Sequence, residues 1–100
     1  MYRIKLATFA ENDIRESIRW YNDASGGLGR IFYRSVKDAI SLIQRNPKHF
    51  PVRYKTIHTV LVKKFPFLIH YQIDEKSKVI TILGVIHTSR NPEIWDERSE

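Results

Sequence analysis

Apolar and polar residues alternate from Tyr2 to Phe9, with Tyr2, Ile4 and Leu6 on one side and Arg3 and Lys5 on the other, which is the period of a half-buried strand. The phase then changes. Glu11 and Asp13 stand where a helix start favours negative charge, and Ile14, Ile18 and Tyr21 recur at helical spacing until Ser25-Gly26-Gly27. From Leu28 a second helix is predicted, because Leu28, Phe32, Val36, Ala39, Ile40 and Ile43 form one stripe while Arg30, Arg34, Lys37 and Arg45 occupy the rest of the circumference. Asn46-Pro47 ends it, and the short connection makes the two helices an antiparallel hairpin.

The remainder reads as strands: 52–55, 57–64, 67–73 and 79–87, with Asp74 to Lys78 as the turn between the last two. Val79 to Ile86 is apolar on both faces and so belongs inside the sheet. The expected class is α+β: an N-terminal strand, then a two-helix hairpin packed on a mainly antiparallel sheet of four to five strands, all in one domain over residues 1–100.

One hundred residues leave room for a single core and no separate catalytic domain. Lys and Arg outnumber Asp and Glu by 17 to 11, for a net charge of +6, and the excess is local. No acid lies between Asp38 and Asp74, a stretch that holds Arg45, Lys48, Arg53, Lys55, Lys63 and Lys64. Such a field attracts polyanions or acidic proteins, or is simply a solvated surface. With no cysteine there is no disulfide framework or thiolate metal site. The N-terminus lacks the apolar core of a signal peptide, and no apolar run reaches the roughly 18 residues of a membrane span, so a cytoplasmic location and no membrane partner are expected. His49, His58, His70 and His87 have no metal-ligand spacing, and no metal or cofactor is implied. Gly26-Gly27-Leu28-Gly29 lacks the Gly-Lys-Ser/Thr ending of a phosphate loop and reads as a hairpin turn.

The last third carries the chemistry, where FPFLIHYQI and VITILGVIHTSRNPEIW place two apolar strands ahead of His87, Arg90, Asn91, Pro92 and Trp95. With the amphipathic hairpin running into NPKHFP, this order and spacing over residues 2–95 resembles the RelE/ParE superfamily, the toxins of bacterial type II toxin-antitoxin modules, and most of all its ParE-like members. The resemblance implies a small basic toxin, a growth inhibitor in a plasmid-stabilization type of system, neutralised by a cognate acidic or DNA-binding antitoxin that wraps the hairpin and the sheet. It also implies one of two targets. ParE-like members poison DNA gyrase, whereas RelE-like members are ribosome-dependent mRNA endoribonucleases.

A metal-independent nuclease needs a base, an acid and fixed positive charge on the phosphoryl oxygens. His87 has the residue type for the first two, Arg90 could clamp phosphate with its planar fork, and Lys63 and Lys64 could add charge. Each has a plainer reading: His87 as a strand-end ring bonding a carbonyl, Arg90 as a partner of Glu93 or Asp96, and the two lysines as a solvated strand end that discourages edge pairing. RelE-like nucleases carry an arginine in the strand matching Phe67 to Tyr71, and Leu68 stands at that position here. His70 lacks the guanidinium fork and does not replace it. The expectation is therefore a ParE-like binding toxin, with a nuclease as the alternative. Trp20, Tyr21, Phe32 and Tyr33 are expected as core or antitoxin-facing aromatics. His87 and Arg90 are expected on one shared, positively charged face.

Overall fold

The structure is a computed structural model and describes residues 1–90, so Asn91, Pro92, Glu93, Trp95 and Asp96 of the C-terminal motif lie outside the described residues. Seven elements follow in order: β1 (Arg3–Leu6), α1 (Thr8–Ala24), α2 (Leu28–Arg45), β2 (Val52–Tyr54), β3 (Ile57–Leu61), β4 (Phe67–Asp74) and β5 (Val79–His87). The strands form one sheet in the order β1-β5-β4-β3-β2. Three of its pairings are antiparallel, and β1 runs parallel to β5. The long connection through both helices makes that parallel pair possible, since parallel neighbours need a crossover.

The expected strand 2–9 is shorter, and the first helix begins at Thr8 instead of near Glu11. Two periods overlap there. Tyr2 and Ile4 keep the strand alternation against the core, but Ala10, Ile14, Ile18 and Tyr21 already share one helical face. Extended Ala7 marks the switch, its N–H bonded to the Ile82 carbonyl and its own carbonyl accepting the Glu11 N–H. The third predicted strand also ends early, at Leu61, which puts Lys63 and Lys64 in the following turn.

Both helices cover one face of the sheet. Phe32, Val36, Ala39 and Ile43 of α2 and Ala10 and Ile14 of α1 meet Phe67, Ile69 and Tyr71 of β4 and Ile80, Ile82 and Val85 of β5. Tyr21, Phe32, Phe65 and Phe67 close one end as an aromatic cluster with centroids 5.0–6.2 Å apart. The opposite face carries a smaller cluster of Leu68 and Ile86 with Tyr54. A register shift sets these faces: His70 pairs with Gly84 and Tyr71 with Ile82, so Leu83 is an extra residue in β5.

The helices approach most closely where the chain turns. Gly27 takes a left-handed φ of 88° at the entry to α2, and a Cβ on Gly29 would stand 2.5 Å from the Ile18 carbonyl oxygen. The Gly29 N–H donates to Asn22 Oδ1 at 2.8 Å, so a side chain of α1 satisfies a first-turn donor of α2. Among the described residues no helix is long and apolar enough to cross a membrane.

Candidate functional site

Two grooves flank the helical layer. The first, about 510 Å³, lies between α1 and the adjoining ends of β4 and β5, and is lined by Asp13, Glu16, Ser17, Trp20, Tyr21, Pro66, Phe67, Val85, Ile86, His87 and Arg90. Strand pairing explains the position of His87: it sits opposite Phe67, on the helix-covered face, with the two rings edge to face at 5.2 Å. A tight turn follows, in which the Arg90 N–H donates to the His87 carbonyl at 3.0 Å. That turn carries Arg90 back to the same groove.

The turn also orients the imidazole. The Ser89 N–H donates to His87 Nδ1 at 3.1 Å, and Ser89 Oγ lies 2.8 Å from the same nitrogen. An amide can only donate, so Nδ1 is an acceptor and the neutral ring carries its hydrogen on Nε2. In that tautomer Nε2 is a hydrogen-bond donor. Ser89 was not among the expected site residues; a small hydroxyl two positions after a strand-end histidine is the signal that could have found it.

Asp13 is the second addition. Its Oδ2 accepts the Val85 N–H at 3.0 Å just past the register shift in β5, which ties α1 to the strand that carries His87. A carboxylate at a helix start is an ordinary sight, and nothing local marks this one as a partner of residue 85. With Glu16 beside it, the groove holds two carboxylates among the described residues. His87 and Arg90, expected on one shared, positively charged face, both line this groove, and these carboxylates line it with them.

The positive charge lies in the other groove. About 740 Å³ in volume, it runs between α2 and β3 and is lined by Arg30, Arg34, Lys63, Lys64 and His49 around Ile31, Leu42, Phe50, Val60 and Leu61, with Asp38 its one acid among the described residues. Lys64 has a left-handed φ of 75°, which swings the chain around the turn into β4. Lys48, from the same acid-free stretch, pairs with Glu75 at 3.0 Å. Together with bonds from Lys78 and Tyr2, that pair holds the Glu75 carboxyl down at about 2 and pushes the Lys48 ammonium up. Among the described residues, no cluster of three His, Asp or Glu side chains could hold a metal ion.

A family model described as the ParE toxin of type II toxin-antitoxin system, parDE, matches residues 4–92. The chain belongs to the ParE toxin family. Its fold is shared with the chromosomal ParDE system from P. aeruginosa, at 17% identity and a TM-score of 0.66, covering 89% of this chain and 98% of the other. The intact E. coli RelBE toxin-antitoxin complex matches with a TM-score of 0.69 at 14% identity, covering 90% and 100%. The archaeal RelE-RelB complex from Pyrococcus horikoshii OT3 matches at 0.58 and 16%, covering 90% and 98%. At these identities the likeness is one of fold. No curated protein sequence matches the chain.

In this ParE-family chain the four candidate catalytic residues are therefore divided: His87 and Arg90 in one groove, Lys63 and Lys64 in the other. Leu68, where a nuclease-type arginine was looked for, is buried on the sheet face that the helices do not cover. The candidate antitoxin-facing aromatics divide as well. Trp20 is 65% exposed on the rim of the first groove and Tyr33 is exposed with Lys37 Nζ 5.5 Å from its ring, but Phe32 is fully buried and Tyr21 is half-buried against the core.

Proposed function

We propose that this ParE-family chain inhibits growth by binding an essential bacterial target inside the cell, DNA gyrase, and that a cognate antitoxin neutralises it. The observation that carries this reading is the division of the candidate catalytic residues between two grooves. Phosphoryl transfer needs its acid, base and cationic clamp around one phosphate, whereas a binding toxin needs only surface. Leu68 in place of an arginine supports the same conclusion. Purified chain should block supercoiling by gyrase, and its expression should induce DNA-damage signalling with transcripts intact. Unimpaired supercoiling at saturating toxin refutes the target.

The second reading is a ribosome-associated mRNA endoribonuclease, and one observation favours it: His87 and Arg90 do line the same groove. On that reading His87→Ala lowers cleavage by about two to four orders of magnitude. Equal lethality of the His87→Ala and Arg90→Ala chains, with no cut transcripts, excludes it.

A further inference from the structure

We propose that the groove between α1 and the ends of β4 and β5 binds a free guanine mononucleotide, with the base laid on Trp20 and read by Glu16, and the phosphate held by Arg90 and His87. The inference does not depend on what the toxin attacks. It starts from polar groups that the fold leaves unspent. Asp13 is committed to the Val85 N–H, but Glu16, one turn further along α1, lines the same groove and enters no hydrogen bond or ion pair among the described residues. Arg90 lines the facing wall and is in no ion pair among those residues either, so two opposite charges share a groove without meeting. His87 Nδ1 takes the Ser89 N–H, and Nε2, the donor of the neutral ring, has no acceptor among the described residues.

Trp20 adds a flat surface. Its ring meets Tyr21 edge to face at 5.0 Å and 85°, and among the described residues no ring lies parallel to it. It stands four positions after Glu16 on α1, so indole and carboxylate are neighbours on one side of the helix. Phe67 and Val85, both buried, supply apolar lining from the strands. The volume of about 510 Å³ lies in the range of roughly 300–1,000 Å³ common to small-ligand sites.

These groups specify their ligand. The α1 wall offers an acceptor beside a stacking face, and the strand-end wall offers an N–H and a guanidinium fork, so the occupant is flat, carries N–H donors at one end and is anionic at the other. Guanine presents two adjacent donors, N1–H and its amino group, to one carboxylate while its face stacks on an aromatic ring. Adenine sets an acceptor nitrogen beside its amino group and would turn it on Glu16. A basic side chain suits Glu16 and Trp20 but meets Arg90. An aromatic amino acid carries both charges at one end, whereas here they stand on facing walls. A nucleic-acid strand would bring further phosphates beside Asp13 and Glu16, and one guanidinium matches a single phosphate.

The test titrates the full chain, isotopically labelled, with guanosine 5′-monophosphate. Saturable shifts are expected at the Trp20 indole and at Glu16, His87 and Arg90, with Ile31 and Leu42 of the other groove unmoved. Adenosine 5′-monophosphate, inosine 5′-monophosphate, which lacks the amino group, and guanosine without its phosphate should each bind about tenfold more weakly. Glu16→Gln should erase the preference for guanine over adenine, and Arg90→Gln should weaken the nucleotide about tenfold while leaving guanosine unchanged. Trp20→Ala should weaken every base alike, by about tenfold. All three side chains are exposed, so melting temperatures should hold; where one does not, the analogue series on the unaltered chain decides. No saturable shift at millimolar nucleotide, equal binding of the adenine and guanine nucleotides, a guanine preference that survives Glu16→Gln, tighter binding of a short guanine-containing single strand than of the mononucleotide, or displacement by free tryptophan overturns the proposal. Gyrase enters none of these measurements, so the proposed target and the nucleotide site can fail separately.

Discussion

The Tyr71 hydroxyl donates to the Pro47 carbonyl at 2.6 Å from a ring stacked on His58 at 5.0 Å, and His58 Nδ1 lies 2.6 Å from the Phe50 carbonyl oxygen. Two side chains of the sheet thus hold the segment that leads out of α2. Removing the hydroxyl leaves a buried carbonyl without its donor, so Tyr71→Phe should cost about 1–3 kcal/mol in urea unfolding. Burial also pushes the Tyr71 phenol from its ordinary 10.0 up to about 12. The folded chain keeps this proton where the unfolded chain releases it, so the contribution is complete below pH 10.0 and is lost as pH rises to about 12. A pH series of unfolding midpoints should show that decline, and Tyr71→Phe should flatten it. Lys64 offers the opposite sign: its φ of 75° is strained for a side chain, and Lys64→Gly should raise stability by about 1 kcal/mol. At this scale the sequence shows residue types and little more. Tyr71 reads as one more aromatic in an apolar strand, and its partner is 24 positions away.

The helical hairpin was the most legible element, because its stripes and its glycine turn are local patterns. Why the turn needs Gly29 in particular was not legible. The space a methyl would need is filled by the Ile18 carbonyl and the Asn22 side chain, both from the other helix. Gly29→Ala should therefore destabilise by about 1–3 kcal/mol through forced separation of the helices. Asn22→Ala, which removes the acceptor of the Gly29 N–H, should cost about 1 kcal/mol. Because the two groups touch, the double variant should fall short of the sum, which a double-mutant cycle in denaturant would measure. The strand boundaries at Leu6 and Leu61 were less legible, since alternation persists in the letters after the backbone has turned away.

Across the whole molecule, Glu75 joins two distant positions, Tyr2 before β1 and Lys48 after α2, and pairs with Lys78 of its own turn. Its carboxyl is held at about 2 against an ordinary 4.5, so the stabilisation is complete above 4.5 and disappears as pH falls toward about 2. Melting temperatures over that interval should fall less steeply for Glu75→Gln than for the parent, and the difference should shrink in high salt because the cluster is exposed. The same long-range assembly distributes the candidate site. His87 and Arg90 share a groove because one tight turn links them, a matter of three positions. Lys63 and Lys64 do not join them, because the turn into β4 faces α2 while the end of β5 faces α1.

Periodicity, turn residues and charge were enough to determine the helical hairpin, the interior place of β5, the α+β class and, through motif order, the family. These are properties of near neighbours in the chain, and each is written in the spacing of a few residues. Only the tertiary structure decided that Asp13 clamps Val85, that Asp13 and Glu16 line the groove of His87, and that Lys63 and Lys64 join Arg30 and Arg34 in a separate groove. Each of those depends on which side chains meet across tens of positions, and the pairing of strands with helices settles that after local patterns have had their say.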